Sequence, residues 1–357
     1  MRFAPRWTAN WKRVPSKSSC DANFSPISKS RHGSTATTRL SGGAARSSTL
    51  PMQPDRIVSL LPGATEIVSA LGLEDRLVGI SAECDQPASV MDRRRVSLAA
   101  LDPQETEPAA IDREVRDRLA SGAPLFQADQ AALRELDPQL ILSQSLCDVC
   151  AATPGSLTAE AIGDAEVLAL DGRDLDGLIH DIRRVAEAAD VADTGSTLID
   201  TLDRRREAVR RHRAPSRRVL TVEWPDPLFV GGHWIPDMVV TAGGESLGAP
   251  GDHSVVVDWN TVRRFDPEII VMLPCGQSLA GAARGLGSMR SRPGWNELAA
   301  VRNHAIYLVD GNRFFSRPGP AAFTGLELMA HILGNGQPDP APGYWRQARR
   351  EELWEAA

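Results

Sequence analysis

From residue 52 onward, short apolar strands alternate with helices, and this alternation constrains the fold more than any other feature of the sequence. Apolar runs bounded by Gly, Pro and Asp are typical of buried strands, and strands separated by helices form βαβ units with a mostly parallel sheet. We predict strands over residues 56–61, 77–80, 140–142, 167–170, 218–222, 269–273 and 305–309. The sequence therefore predicts an α/β protein.

A repeated motif divides this α/β pattern into two halves. Residues 136–141 read LDPQLI and residues 265–270 read FDPEII, each a helix end, an Asp-Pro turn and a buried strand. Between the halves, apolar residues recur at three- and four-residue spacing from Leu175 to Ala189, which predicts an amphipathic helix. A second, Arg-rich helix is predicted over 194–212. We infer two similar lobes joined by helix.

The charge distribution separates the first fifty residues from the rest. They hold nine Lys or Arg residues and one acid, a net +8, whereas the whole chain has a formal charge of −6. We interpret residues 1–54 as a disordered basic leader. Either translation truly starts at Met52, or the leader is a transit peptide. The remaining predicted boundaries are an N-terminal lobe over 55–172, linking helices over 173–214, a C-terminal lobe over 215–338 and a tail over 339–357.

Composition excludes several classes of protein. Hydrophobic residues make up 42% and charged residues 24%, which is typical of a globular chain. The acidic net charge argues against nucleic-acid binding, and no apolar run in the sequence is long enough to span a membrane. The phosphate-binding glycine loops, the zinc motif H-E-x-x-H and the G-x-S-x-G elbow are all missing from the sequence, which favours a binding protein over an enzyme.

The chemically unusual residues fall just after predicted strands. Ligands of open parallel sheets bind at the carboxyl ends of the strands, so these residues are candidates for a site. Loop aromatics could stack on a flat ligand or pack in the core, His233 could act as a ligand or a structural hydrogen-bonding group, and Arg317 could clamp an anion or lie in solvent. The candidates are Pro62, Thr65, Glu83, Trp224, His233, Trp234, Trp259, Asn312, Phe315 and Arg317. Glu66, in the first turn of its helix, is explained by the helix dipole alone.

Four cysteines also follow predicted strands: Cys84, Cys147, Cys150 and Cys275. The Cys-x-x-Cys at 147–150 could bind a soft metal or cycle as a dithiol. A Cys-ligated metal or iron–sulfur cluster, disulfides and plain buried thiols are the three alternatives.

The segment RIVSLLPGATE at residues 56–66 resembles the opening strand and loop of cobalamin and iron-chelate substrate-binding proteins of ABC importers. Both Asp-Pro strands, Phe229 with the following Gly-Gly, and the 315–318 loop extend the resemblance over about residues 55–335. It implies two Rossmann-like lobes, a rigid connecting helix, and a corrinoid such as cobalamin, or another metal chelate, bound between the lobes. On this resemblance Phe126, Trp259 and Phe315 would lie against the corrin ring.

The chain departs from that family at specific positions. Ala131 and Asn260 stand where cobalamin binders have the glutamates that dock on the permease, so the sequence leaves open whether a permease partner exists. Glu83 stands where those proteins have an aromatic residue. No signal peptide or lipobox is visible, so we expect a cytoplasmic, monomeric and soluble branch of the family, with a periplasmic protein as the alternative. We expect non-catalytic binding of a corrinoid, and the alternative is a cysteine-ligated metal enzyme of corrinoid or redox chemistry.

Overall fold

A computed structural model of the chain describes residues 53–101, 107–146, 151–213, 215–336 and 338–354. Residues 1–52 of the predicted leader, including Met52, and both cysteines of the Cys-x-x-Cys motif (Cys147 and Cys150) lie outside the described residues. In the described part of the chain, no helix is long and apolar enough to cross a membrane.

The N-terminal half forms a parallel sheet with helices between its strands. Its strands are β1 Ile57–Ser59, β2 Leu77–Ile80, β3 Arg94–Arg95, β4 Ser97–Ala99, β5 Phe126–Ala128, β6 Leu140–Gln144 and β7 Glu166–Leu170. Its helices are α1 Pro62–Ala70, α2 Pro108–Ser121, α3 Gln130–Leu136 and α4 Ala159–Ile162. The sheet order is β3-β2-β1-β6-β7 with every pairing parallel, and β4 and β5 form a separate antiparallel pair.

Two helices, α5 Leu175–Ala188 and α6 Ala192–Arg211, connect the halves. The predicted apolar stripe of α5 is buried, as shown by Leu175, Ile182 and Val185 at 0% exposure. These side chains belong to a core cluster that also contains Ile57 of the first sheet and Ile269 of the second half. The connecting helices are therefore part of a shared core rather than a free linker.

The C-terminal half forms a mixed sheet. Its strands are β8 Arg218–Pro225, β9 Leu228–Val230, β10 Glu245–Ser246, β11 Val255–Val256, β12 Ile269–Met272, β13 Ile306–Val309 and β14 Trp345–Gln347. Its helices are α7 Trp234–Thr241, α8 Trp259–Phe265, α9 Leu279–Arg290, α10 Ala299–Arg302, α11 Gly311–Phe314 and α12 Ala321–Leu333. The main order is β11-β9-β8-β12-β13-β14 with β10 beside β8, and β8, β10, β12 and β13 are mutually parallel where they pair. The predicted class, an α/β protein of two lobes joined by helix, is confirmed.

The two Asp-Pro motifs adopt the same geometry in the two lobes. Asp137 and Asp266 end α3 and α8 in the left-handed region, with φ of 45° and 44°. An arginine at the start of the neighbouring strand donates to each turn: Arg56 Nε to the Leu136 carbonyl at 2.7 Å and Arg218 Nε to the Asp266 carbonyl at 2.9 Å. The repeat seen in the sequence is therefore a repeat of structure.

The lobes meet at the loops that follow their strands. Gly63, in the first turn of α1, packs so tightly that a Cβ at this position would lie 2.5 Å from the carbonyl oxygen of Pro318, which lies between α11 and α12. Glu66 and Asp85 of the first lobe also contact residues 312–317 of the second. The carboxyl ends of the two sheets consequently face each other.

We expect Gly63→Ala to lower the free energy of unfolding by roughly 1–3 kcal/mol, because the added methyl group meets backbone that cannot yield cheaply. Gly287→Ala is the matched control, since Gly287 lies inside α9 and a Cβ there has no neighbour within 4 Å among the described residues. The control should be neutral or gain up to about 1 kcal/mol in urea unfolding. Equal stability of the two variants would contradict the close approach of the lobes.

Candidate functional site

A buried arginine joins the two lobes at the facing loops. Arg317 is only 1% exposed, and its Nη1 lies 2.6 Å from Asp85 Oδ1 and 3.3 Å from Glu66 Oε1. Its Nε donates to the Asn312 carbonyl at 2.8 Å. Arg313 Nη1 donates to the same Glu66 oxygen at 2.7 Å, so one carboxylate of the first lobe accepts from two guanidinium groups of the second.

Burial and charge oppose each other in this inter-lobe cluster. Removal from water raises the pKa of Glu66, while Arg317 and Arg313 act to lower it, and burial likewise raises the pKa of the neighbouring Asp310. The helix dipole alone is therefore an insufficient explanation of Glu66, and Arg317 does not lie in solvent. The only signal in the sequence was a lone carboxylate inside an apolar helix, ATEIV at 64–68.

We expect Arg317→Met to lower the free energy of unfolding by roughly 3–5 kcal/mol, because Glu66 keeps its burial and loses a partner. Glu66→Gln combined with Arg317→Met should recover part of that loss, since the uncompensated charge is then removed. Arg93→Met is the control, because Arg93 pairs with exposed Asp92, and it should change stability by about 0.5 kcal/mol or less. Chemical denaturation measures all three; a loss for Arg317→Met no larger than for Arg93→Met would contradict the role of the cluster.

The second contact between the lobes is made by Trp224. Strand β8 continues past its pairing with β12, which ends at Val222, so Trp224 extends beyond the carboxyl edge of the sheet. Its indole Nε1 donates to the Pro108 carbonyl at the start of α2, at 3.2 Å. An open cavity of about 390 Å³ lies beside this contact, lined by α2 on one side and by Asp226 and Pro227 on the other.

Trp259 lies on the same lobe as Trp224 and is connected to it through Arg292. The Arg292 guanidinium sits 5.5 Å from the centre of the Trp259 ring, and its Nη2 donates to the Pro225 carbonyl at 2.8 Å. The Trp259 ring also stacks on Trp295, with 6.4 Å between the ring centres. Trp224 and Trp259 are both partly exposed, and Arg292 links the Trp259 ring to the residue that follows Trp224.

Other predicted site residues are buried among core side chains. Trp234 and Phe315 are 5% and 2% exposed and belong to the shared core, where the Trp234 indole donates to the Phe315 carbonyl at 3.1 Å. Thr65 is fully buried and bonds Ser59 Oγ at 2.8 Å. All three side chains are buried in this structure. A ligand contact for any of them stays a prediction, and it would require the surrounding residues to rearrange.

The remaining candidates are distributed over both lobes. Pro62 is partly exposed at the first position of α1, Glu83 is partly exposed in the loop after β2, and Phe126 packs against an apolar cluster confined to the first lobe. Asn312 reaches across the lobes, with its Nδ2 donating to Asp85 Oδ2 at 3.2 Å. The structure thus brings Asn312 and Arg317 together with Asp85, a residue not among the predicted candidates.

His233 follows Gly231 and Gly232 in a strained backbone conformation. Its φ of 54° with ψ of −121° belongs to a region that favours glycine. Its Nε2 lies 3.2 Å from His253 Nδ1, and burial, His253 and Arg173 lower its pKa to about 4. The imidazole is therefore neutral at physiological pH and pairs with a second histidine.

We expect the wild-type protein to lose stability as the pH falls from 6.5 towards 4. Over that range the unfolded chain takes up a proton on His233 that the folded chain refuses, so protons favour unfolding. His233→Gly removes this titration and suits the positive φ, and its stability should fall less steeply over the same range. Thermal unfolding at a series of pH values measures this; parallel profiles for the two proteins would contradict the depressed pKa.

Sequence reasoning missed Glu223, which lies one residue before Trp224. Its Oε2 accepts from Ser254 Oγ at 2.6 Å and from the Gly232 amide at 3.2 Å, and burial raises the pKa of the carboxyl. A Cβ on Gly232 would lie 2.2 Å from the Ser254 amide nitrogen. Glu223 therefore ties the end of β8, next to Trp224, to the Gly-Gly turn and to the segment before β11.

The cysteines in the described part of the chain are free thiols. Cys84 is 3% exposed, and its sulfur lies 3.1 Å from Thr65 Oγ1; burial raises the pKa of this thiol, which disfavours the thiolate that metals bind. Cys275 is partly exposed in the other lobe. Among the residues that the structure describes, no group of three or more His, Cys, Asp or Glu side chains could hold a metal ion.

Two α/β lobes with facing strand ends, a helical connection and a cleft between them define a two-lobed binding protein. The comparison with family models agrees: residues 57–312 match the model described as "Periplasmic binding protein", and the chain belongs to that family.

Relatives and solved structures extend this match. An uncharacterized ABC transporter substrate-binding lipoprotein of Bacillus subtilis, YvrC, is 23% identical over 299 residues, covering 80% of this chain and 82% of the relative. The vitamin B12-binding protein BtuF of Vibrio cholerae matches with a TM-score of 0.55 and 19% identity, over 79% of this chain and 98% of that one. A periplasmic heme-binding protein of Pseudomonas aeruginosa matches with a TM-score of 0.57 and 17% identity, over 80% and 94%.

The family corrects one expectation. The family model is described as that of a periplasmic binding protein, and the Bacillus relative is a lipoprotein. The interpretation of the chain as cytoplasmic is therefore not supported.

Proposed function

We propose that this protein is the non-catalytic binding component of an ABC importer and takes up a metal chelate, with a corrinoid of the cobalamin type as its first candidate ligand. The observation that carries the proposal is the cleft between two facing strand edges, with Trp224 of one lobe reaching Pro108 of the other. A planar chelate needs such a gap with an aromatic wall. The similarity to B12- and heme-binding proteins supports the chemical class of the ligand.

Contacts between the lobes differ between the floor of the cleft and its rim. At the floor, buried Arg317 and the Gly63–Pro318 packing hold the lobes together beside the connecting helices. At the rim, the Trp224–Pro108 hydrogen bond contributes about 1 kcal/mol net. A corrinoid is larger than the cavity of about 390 Å³, so the rim must widen while the floor stays closed.

A corrinoid is ranked before haem because the tyrosines are poorly placed as iron ligands. Tyr307 is half-buried against Trp345, and burial raises the pKa of its phenol, which disfavours a phenolate. Tyr344 packs edge-on against Phe314.

The family membership is the reason to propose a permease partner. The two positions where the family has docking glutamates do not supply a charged contact in this chain. Ala131 and Asn260 are exposed on the first turns of α3 and α8, the helices that precede the two Asp-Pro turns. Neither side chain carries a charge. If the protein docks on a permease through these helices, the contact is made by neighbouring residues.

Calorimetric titration with cyanocobalamin, hemin and a ferric hydroxamate siderophore tests the proposal. We expect micromolar or tighter binding of cyanocobalamin, and roughly tenfold weaker binding by Trp224→Ala, since aromatic contact contributes about 0.5–1.5 kcal/mol beyond its buried area. Trp224→Phe keeps the ring and loses the N–H group, so its affinity should be intermediate.

Trp345→Ala is the matched control. Its indole also donates a hydrogen bond, to Asp339 at 2.9 Å, but it lies on β14, at the far edge of the sheet from the rim. Binding should be unchanged in this variant. Failure to bind any of the three ligands, or equal losses in Trp224→Ala and Trp345→Ala, would refute the proposed site.

A further inference from the structure

Helix α2 directs charged residues at the cleft instead of contributing to the core. Of its 14 residues only Pro108 and Ile111 are buried, and Leu119 is 47% exposed. Burial of apolar side chains therefore contributes little to the packing of α2. Five of its residues line the open cavity opposite Asp226 and Pro227: Ala109, Asp112, Arg113, Arg116 and Asp117.

The wall of this cavity carries charges of both signs. Asp112 pairs with Arg116 one turn along the helix. Within the part of the chain that the structure describes, Arg113 and Asp117 have no ion-pair partner, and across the cavity Asp226 acts electrostatically on Arg292. Three carboxylates and two guanidinium groups line the space, so the wall is rich in hydrogen-bond acceptors and donors but slightly negative in sum.

A neutral primary amide is the ligand group that best matches this wall. Its N–H₂ group donates to carboxylates, and its carbonyl accepts from guanidinium groups, without adding charge. A ligand carboxylate would meet more like charge than opposite charge along this wall. Corrinoids are rimmed by acetamide and propionamide side chains, whereas haem carries two propionates.

The geometry points to α2 and Asp226 as the specificity-determining wall of the cleft, which selects ligands with an amide rim over ligands with a carboxylate rim. This inference rests on the proposed function and deepens it, because it assigns the chemical class of the ligand edge. Asp117 and Asp226 repel a ligand edge that carries carboxylates. The Arg113 guanidinium can donate hydrogen bonds to an amide edge or to a carboxylate edge. The contact between Pro108 and Trp224 holds this wall against the opposite lobe.

Calorimetry with cyanocobalamin and with its monocarboxylic acid, in which one side-chain amide is hydrolysed, tests the inference. We expect the amide form to bind roughly three- to tenfold more tightly at low salt, because one added charge meets a net negative wall. The ratio should shrink towards one at about 1 M salt, where charges are screened within a few ångströms. Asp117→Asn and Asp226→Asn should each reduce the ratio, and Arg113→Gln should increase it.

Asp164→Asn is the control, because Asp164 is an exposed acid between α4 and β7 that does not line the cavity, and it should leave the ratio unchanged. Circular dichroism and thermal unfolding establish that each variant is folded. Binding of both forms with equal affinity, or a ratio that Asp117→Asn and Asp226→Asn leave as it is in the wild type, would overturn the specificity wall alone. Absence of binding to any corrinoid, hemin or siderophore would overturn the proposed function and the wall with it.

Discussion

The salt bridge of buried Arg317 with Glu66 and Asp85 is the interaction on which the rest of the structure depends. A guanidinium group that is 1% exposed is stable only where carboxylates and carbonyl oxygens surround it, and those partners come from both lobes. The relative position of the two sheets is thereby fixed at the floor of the cleft. Close backbone packing at Gly63 leaves little room for movement at the same place.

The shared helical core supports this arrangement from behind. Helices α5 and α6 pack with α7 and α12 in one apolar cluster with both sheets, and each lobe has a smaller apolar cluster of its own besides. Farther out, the lobes touch through the Trp224 indole and the charged helix α2. The contacts between the lobes are thus extensive at the floor of the cleft and few at its rim. Such an arrangement suits a binding protein, because the site keeps its shape at the floor and can admit a ligand at the rim.

Several side chains had roles that their residue type did not indicate. Phe315 and Trp234 flank loop residues, which suggested ligand stacking, yet they fill the core where the second lobe meets the connecting helices. Glu66 looked like an ordinary first-turn carboxylate but binds two arginines about 250 positions away along the chain. Local patterns cannot distinguish these outcomes, because loop aromatics and helical carboxylates are compatible with either environment until the partner is known.

The sequence by itself determined the α/β class, the division into two lobes, the helical connection and the repeated Asp-Pro turns. These features depend on periodicity and turn chemistry, which act over a few residues. Only the tertiary structure decided that Arg317 is an inter-lobe bridge, that Glu223 ties the end of β8 to the Gly-Gly turn and that α2 presents its charges to the cleft. Each of these facts depends on contacts between residues far apart in the chain, whose partners no local pattern specifies.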